Sequence, residues 1–253
     1  KYLADIFGAD CILNDPPLSD LTNDKSFATL EQALQSDIIT FHVPLMRGGA
    51  YPTYNLVDDK LLKKLKSDIF FINTSRGEVI DENALLSFKK SNPESTLVLD
   101  VWRNEPNINL NLLKEASIAT PHIAGYSYEA KIKAAKMLFN SLNRFLKTDF
   151  DCSDLLNCEN IDLIPENDDP NFLFESIISQ QWHILEDSIP YEHYSTLSNE
   201  ERSIFYDNLR SDYRIRHEFT KRVIDMSKCN YSNKYVVEAE EKLKKLGFKL
   251  KNI

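Results

Sequence analysis

An α/β fold built on a doubly wound parallel sheet, followed by a smaller α+β domain, is what this sequence predicts. Three observations carry the expectation. Between Asp10 and Thr120, short continuous apolar runs alternate with stretches of helical periodicity. Strands that are apolar throughout belong to parallel sheets with helices against their faces. Polar and ionisable residues follow the runs, where the carboxyl ends of parallel strands bind ligands. After Thr148 the composition changes, so a second domain is expected there.

The elements follow in chain order. In "KYLADIFGADCILNDPP" the residues Tyr2, Leu3, Ile6 and Phe7 recur at helical spacing, Gly8 stops the helix, and Cys11 to Leu13 read as a short buried strand leading to Asp15. That is the second half of a β-α-β nucleotide-binding unit, with no glycine loop ahead of it. Further strands are predicted in "DIITFHV" (37–43), "DIFFINT" (68–74), "STLVLDV" (95–101) and "SIAT" (117–120). Helices are predicted from Thr29, where Gln32 completes a capping box, from Asp59 to Leu65, from Asp81 through Leu85, Leu86 and Phe88, and from about Glu129 to Leu146. Residues 151–170 are acidic and rich in Asn, Asp and Pro, and are expected to be a linker. Beyond it, helices are predicted at 172–186 and 199–210, the latter opened by Ser198 and Glu201. The segment 233–250 reads as a short strand running into a helix that carries Glu–Lys pairs at i,i+4 and ends at Gly247. The expected domains are therefore 1–150, the linker 151–170, and 171–253.

Composition narrows the function. The formal charge is −9, and no Lys or Arg lies between Asp151 and Gln180. An acidic chain is a poor match for nucleic acid or an anionic membrane. No run approaches the roughly 20 apolar residues that span a bilayer. Cys11, Cys152, Cys158 and Cys229 fit neither a zinc site nor a C-x-x-C pair. They read as reduced thiols of a cytoplasmic protein. No metal site is expected.

Asp15 stands where an acidic residue would accept both ribose hydroxyls of an adenosine; the plain alternative is a turn made by Asp-Pro-Pro. Arg76, after the 68–74 run, carries a planar guanidinium suited to a carboxylate, and Gly77 beside it would let the backbone approach a cofactor. The plain alternative is a surface arginine in a tight turn. "LDVWRNEP" holds Asp100 and Glu105, and "ATPHIAGYS" holds His122, Gly125 and Tyr126. An imidazole held by a carboxylate is what proton transfer to or from a hydroxyl requires. A histidine beside a proline is more often a packing residue, but three ionisable groups at three strand ends are harder to dismiss. Gly48 and Gly49 read as turn residues, Arg47 as a solvated side chain, and 209–222 as a solvated helix face or subunit contact.

"DIITFHVPL", "FINTSRGEVIDENAL", "LVLDVWRNEP" and "IATPHIAGYSYEAK" resemble the nucleotide-binding domain of the D-isomer-specific 2-hydroxyacid dehydrogenases. The resemblance implies an incomplete Rossmann-type sheet plus a small C-terminal dimerisation domain, and NAD as cofactor. It makes Arg76, Glu105 and His122 the catalytic trio. Asp15, Val43, Thr74, Ser75, Arg76, Asp100 and Gly125 would contact NAD, and Tyr126 the substrate. Val43 stands where the family often has Thr, so a contact through the hydroxyl would be missing and one through the backbone kept. "NDPP", "HIAGY" and the "KLGF" ending point to a member that acts on a phosphorylated 2-hydroxy acid as a homodimer. Phosphoglycerate dehydrogenases, which lack the extra domain, are the alternative. Members begin with a substrate domain and a G-x-G-x-x-G loop, so the chain is expected to start inside the helix after that loop, as an N-terminally truncated and by itself inactive portion. A nucleotide sensor that kept the fold is a further alternative, against which the retained trio weighs.

Overall fold

Four of the apolar runs form one parallel sheet in the order β1-β2-β3-β4: Ile38–Phe41, Phe70–Asn73, Thr96–Leu99 and Ile118–Ala119. The computed structural model describes residues 6–151, 161–163, 172–181, 183–227, 229 and 232–251. The registers run Ile38 to Phe70, Phe70 to Thr96 and Val98 to Ile118. Ile39, Phe41, Phe71, Leu97 and Leu99 point into a core shared with Leu61, Leu62, Leu85 and Leu112. The opposite face is only partly covered, with Ile38 59% and Phe70 46% exposed, where continuous apolar runs predict burial on both sides.

Local signals set the helix starts. Thr29 and Gln32 form the expected capping box at Leu30–Ala33. Asp58 caps Asp59–Leu62, and Asp81 caps Glu82–Ser91 by accepting from Asn83 N and Ala84 N. The Ser198–Glu201 box opens Asn199–Ser211.

The chain divides into two compact units. One comprises Cys11–Ala124 and Ile184–Tyr213; the other comprises Lys1–Asp10, Gly125–His183 and Arg214–Ile253. These limits differ from a division at 150 and 170. In the first unit, Ile189 N donates to Ala119 O at 2.7 Å beside β4. Ile189, Tyr194 and Tyr206 enter the same core as Trp102, Ile108 and Leu112. Helical periodicity tells that 199–211 has an apolar face, not which core receives it.

The second unit holds a parallel sheet of β5 (Ile161–Leu163), β6 (Arg222–Asp225) and β7 (Lys249–Lys251). Its core joins Leu173 and Ile177 of the helix Leu173–Gln181 to Ile224, Met226, Val236, Leu243 and Phe248. Ser127 caps the long helix Tyr128–Leu146. Glu129 accepts from Glu218 N at 2.9 Å and lies 2.7 Å from His217 Nδ1.

Three expectations are corrected. Cys11 to Leu13 form no strand. Cys11 is exposed, as are Ile12 and Leu13 at 44% and 41%, and the segment is tied to Ala28 by Ala28 N to Leu13 O and Asn14 Nδ2 to Ala28 O. A three-residue run without a paired neighbour has no ladder to hold it. The acidic linker contains β5, which pairs with Arg222–Asp225 about sixty residues later, a partner that local composition does not report. The rest of the linker lies outside the described residues except Asp151, as do Tyr2 and Leu3 of the opening helix. The order at 233–250 is helix then strand: Asn233 caps Lys234–Leu246 through Tyr235 N, Gly247 ends it at φ 95°, and β7 follows. Val236 reads as a strand residue but packs with Ala239 and Leu243 along one helix face.

Candidate active site

Asn73, the last residue of β2 and fully buried, folds the loop that follows. Its Oδ1 accepts from Ser75 N at 3.0 Å and Ser75 Oγ at 2.7 Å, and its Nδ2 donates to Arg76 O at 3.1 Å. This side-chain turn leaves Arg76 exposed, its Nη1 donating to Ser75 O at 2.6 Å. Ser75 is buried and its hydroxyl is spent on Asn73, so only its backbone remains for a ligand. Thr74 Oγ1 lies 3.5 Å from His42 Nδ1, and His42 Nε2 lies 2.9 Å from Thr40 Oγ1. Val43 is half-buried against the core. It has no side-chain polar atom, so any hydrogen bond from it is a backbone one.

Gly77 does not open space for a cofactor. A Cβ there would meet Trp102 C at 2.0 Å and Arg103 N at 2.4 Å. The glycine is required because the loop after β3 passes directly over it.

That loop is organised by Asp100, which is 3% exposed. Its Oδ1 accepts from Thr120 Oγ1 at 2.6 Å, Ile123 N at 2.8 Å and Ala124 N at 3.1 Å, and its Oδ2 also faces Ala124 N at 3.1 Å. Asp100 O accepts from His122 N at 2.8 Å. One buried residue thus holds the backbone on both sides of His122. This explains why His122 keeps φ at 57°, a conformation that costs a β-carbon residue energy unless its surroundings impose it.

Glu105 reaches the same point from the β3 side. Its Oε1 accepts from Trp102 N at 2.8 Å, and its Oε2 lies 2.8 Å from His122 Nδ1. A carboxylate only accepts, so opposite an ionised Glu105 the Nδ1 carries the proton and Nε2 is left able to exchange one. The side chains are 31% and 21% exposed, open enough to be reached and closed enough to be fixed. Trp102 Nε1 donates to Thr120 O at 3.0 Å, tying the Glu105 loop to the His122 loop.

Arg103 locks the outer side. Its Nε and Nη2 donate to Ile80 O at 3.1 and 2.7 Å, Nη2 also meets Asn55 Oδ1, and its backbone N donates to Glu82 Oε1 at 2.7 Å. Burial pushes the Glu82 carboxyl above its usual range, only partly offset by the Arg103 backbone bond and charge.

The structure thus brings Glu105 and His122 together and sets Arg76 at the neighbouring strand end, bonded to its own loop. Asp15 is exposed and caps the helix Pro16–Thr22 through Leu18 N at 3.0 Å. Gly125 and Tyr126 fall in the other compact unit, where Lys131 Nζ stands 4.4 Å over the Tyr126 ring. Asn73, Trp102 and Arg103 escape the sequence reading. Only Asn73, a polar residue closing an apolar strand before Thr-Ser, carries a local turn signal.

The D-isomer specific 2-hydroxyacid dehydrogenase NAD binding domain matches residues 1–124. An erythronate-4-phosphate dehydrogenase of Wigglesworthia glossinidia brevipalpis is 38% identical over 250 residues, covering 96% of this chain and 62% of its own length. Over these spans the chain is similar to the D-isomer-specific 2-hydroxyacid dehydrogenases. It spans about three fifths of the length of that curated relative. A protein of the same name from Psychromonas ingrahamii is 44% identical over 140 residues, 55% of this chain and 37% of its own. Among solved structures, a glyoxylate reductase from Paecilomyes thermophila aligns at 28% identity with a TM-score of 0.48, covering 57% of this chain and 44% of its own.

NAD is the cofactor of the matched family, and the strand-end residues can be weighed against it. The exposed carboxylate of Asp15 suits a ribose diol, since a carboxylate offers about four acceptor positions and the helix uses one. The backbone of Thr74 and Ser75 directly follows the carboxyl end of β2. Asp100 is less open, because Thr120, Ile123 and Ala124 already occupy it.

Proposed function

We propose that the protein oxidises 4-phospho-D-erythronate at C2 with NAD, giving 2-oxo-3-hydroxy-4-phosphobutanoate, a step toward pyridoxal 5′-phosphate. The Glu105–His122 pair at 2.8 Å carries the reading. Identity to an erythronate-4-phosphate dehydrogenase across 96% of the chain supports the choice of substrate.

When bound, NAD supplies the hydride acceptor. His122 takes the proton from the C2 hydroxyl through Nε2. Glu105 holds the imidazole by Nδ1 and stabilises its positive charge as it forms. Arg76, permanently charged and exposed, grips the substrate carboxylate with two parallel hydrogen bonds and polarises the nascent carbonyl. Tyr126 contributes to substrate binding and Gly125 to the cofactor side. A homodimer formed through residues 171–253, in the cytoplasm, belongs to the same proposal. Its supports are the resemblance and the acidic composition with unpatterned cysteines.

The test is turnover by the full-length gene product, followed by NADH formation. 4-Phosphoerythronate should be the best substrate, ahead of 3-phosphoglycerate and D-lactate. Preference for 3-phosphoglycerate would keep the family and remove this substrate.

A further inference from the structure

The helix pair inside 184–213 is folded against the Glu105 loop. Tyr194 Oη donates to Pro106 O at 2.5 Å, and Asn107 Nδ2 to Ser203 Oγ at 3.2 Å. Beyond Ser203 on the same helix, Asn199–Ser211, Tyr206 enters the core with no exposed surface. Its hydroxyl is buried and makes no hydrogen bond of normal geometry among the described residues, although the Glu105 carboxylate is near enough to act on it as an acceptor. A buried hydroxyl left unmade costs stability, so its retention calls for an explanation. The charged groups facing it are the Glu105 carboxylate, Arg210 one turn along the same helix, and the Asp100 carboxylate. Burial and the Glu105 charge both push the phenol up, so it stays a donor at any working pH.

We propose that Tyr206 is a positioning residue for the acid–base pair: its hydroxyl is aimed at the Glu105 carboxylate and, by donating to it, tunes the imidazole of His122. Glu105 already receives Trp102 N and faces His122 Nδ1, and a carboxylate has room for a third donor. A donor there spreads the carboxylate charge and weakens its hold on the imidazolium. The inference rests on the proposed role of His122 as base.

The test is Tyr206→Phe in the full-length gene product, read by NMR titration of His122, whose signal is assigned by its loss in His122→Gln. The titration needs no substrate, so it stands or falls apart from the substrate assignment. The variant should raise the His122 pKa by about 0.5–1 unit, the size of one such hydrogen bond. The acid limb of kcat/KM should move by the same amount, and Tm should not fall. The shift should vanish in a Glu105→Gln background. An unmoved titration curve would overturn the proposal, as would the same shift without Glu105. Phe keeps the ring and removes only the hydroxyl, so a Tyr206→Phe variant that fails to fold would also overturn the proposal.

Discussion

The surroundings of His122 and of Asp15 are built differently. Around His122 the chain is held by long-range bonds: Asp100 to Thr120, Ile123 and Ala124, Trp102 to Thr120, Glu105 to His122. At Asp15 the carboxylate itself makes a local bond, accepting from Leu18 N three residues on, while the chain beside it is tied to Ala28 by two bonds. In the proposed mechanism the first region sets angles at a reacting atom, where an ångström of misplacement is costly. The second leaves one carboxylate exposed, and the ribose contact proposed for it would tolerate looser support.

The sharpest way to break this contrast is Asp100→Ala. Removing a buried carboxylate that serves three donors should lower stability by about 2–4 kcal/mol, by the cost of stranding buried donors. Urea unfolding measures it, and a change within about 0.5 kcal/mol, the size of an ordinary surface substitution, would show that the loop is held by something else.

A smaller effect is expected from Asp15→Ala. Loss of an exposed cap should cost about 1 kcal/mol or less. Its visible consequence should be in cofactor choice. The wild-type carboxylate repels a 2′-phosphate, and no Lys or Arg lies between Asp15 and Asp24 to offset it. The ratio of kcat/KM for NAD over NADP should therefore narrow in the variant. An unchanged ratio would take Asp15 out of the cofactor site.

What was legible in the sequence follows the same division. Features written in a few consecutive residues could be read directly: the Thr29–Gln32 and Ser198–Glu201 boxes, the Asp81 cap, the apolar runs that became β1 to β4, and the Gly247 stop. Features that depend on a distant partner could not. β5 is hidden in an acidic stretch because its pairing partner is far along the chain. Cys11–Leu13 looks like a strand by composition but has no neighbour to pair with among the described residues. Gly77 is a glycine for the sake of Trp102, which nothing in "TSRGE" reveals. Tyr206 sits on a helix whose apolar face was evident, while its target, the Glu105 loop, was not.

Whether Glu105 and His122 act as one acid–base unit is tested most directly by a double-mutant cycle on oxidation of 4-phosphoerythronate with NAD. His122→Ala should lower kcat/KM by about 10²–10⁴-fold, the usual loss of a general base. Glu105→Gln should act through the same imidazole, so adding it to His122→Ala should make matters little worse, because groups acting as a unit are not additive. Losses that multiply, or a His122 variant with near-normal activity, would contradict the account.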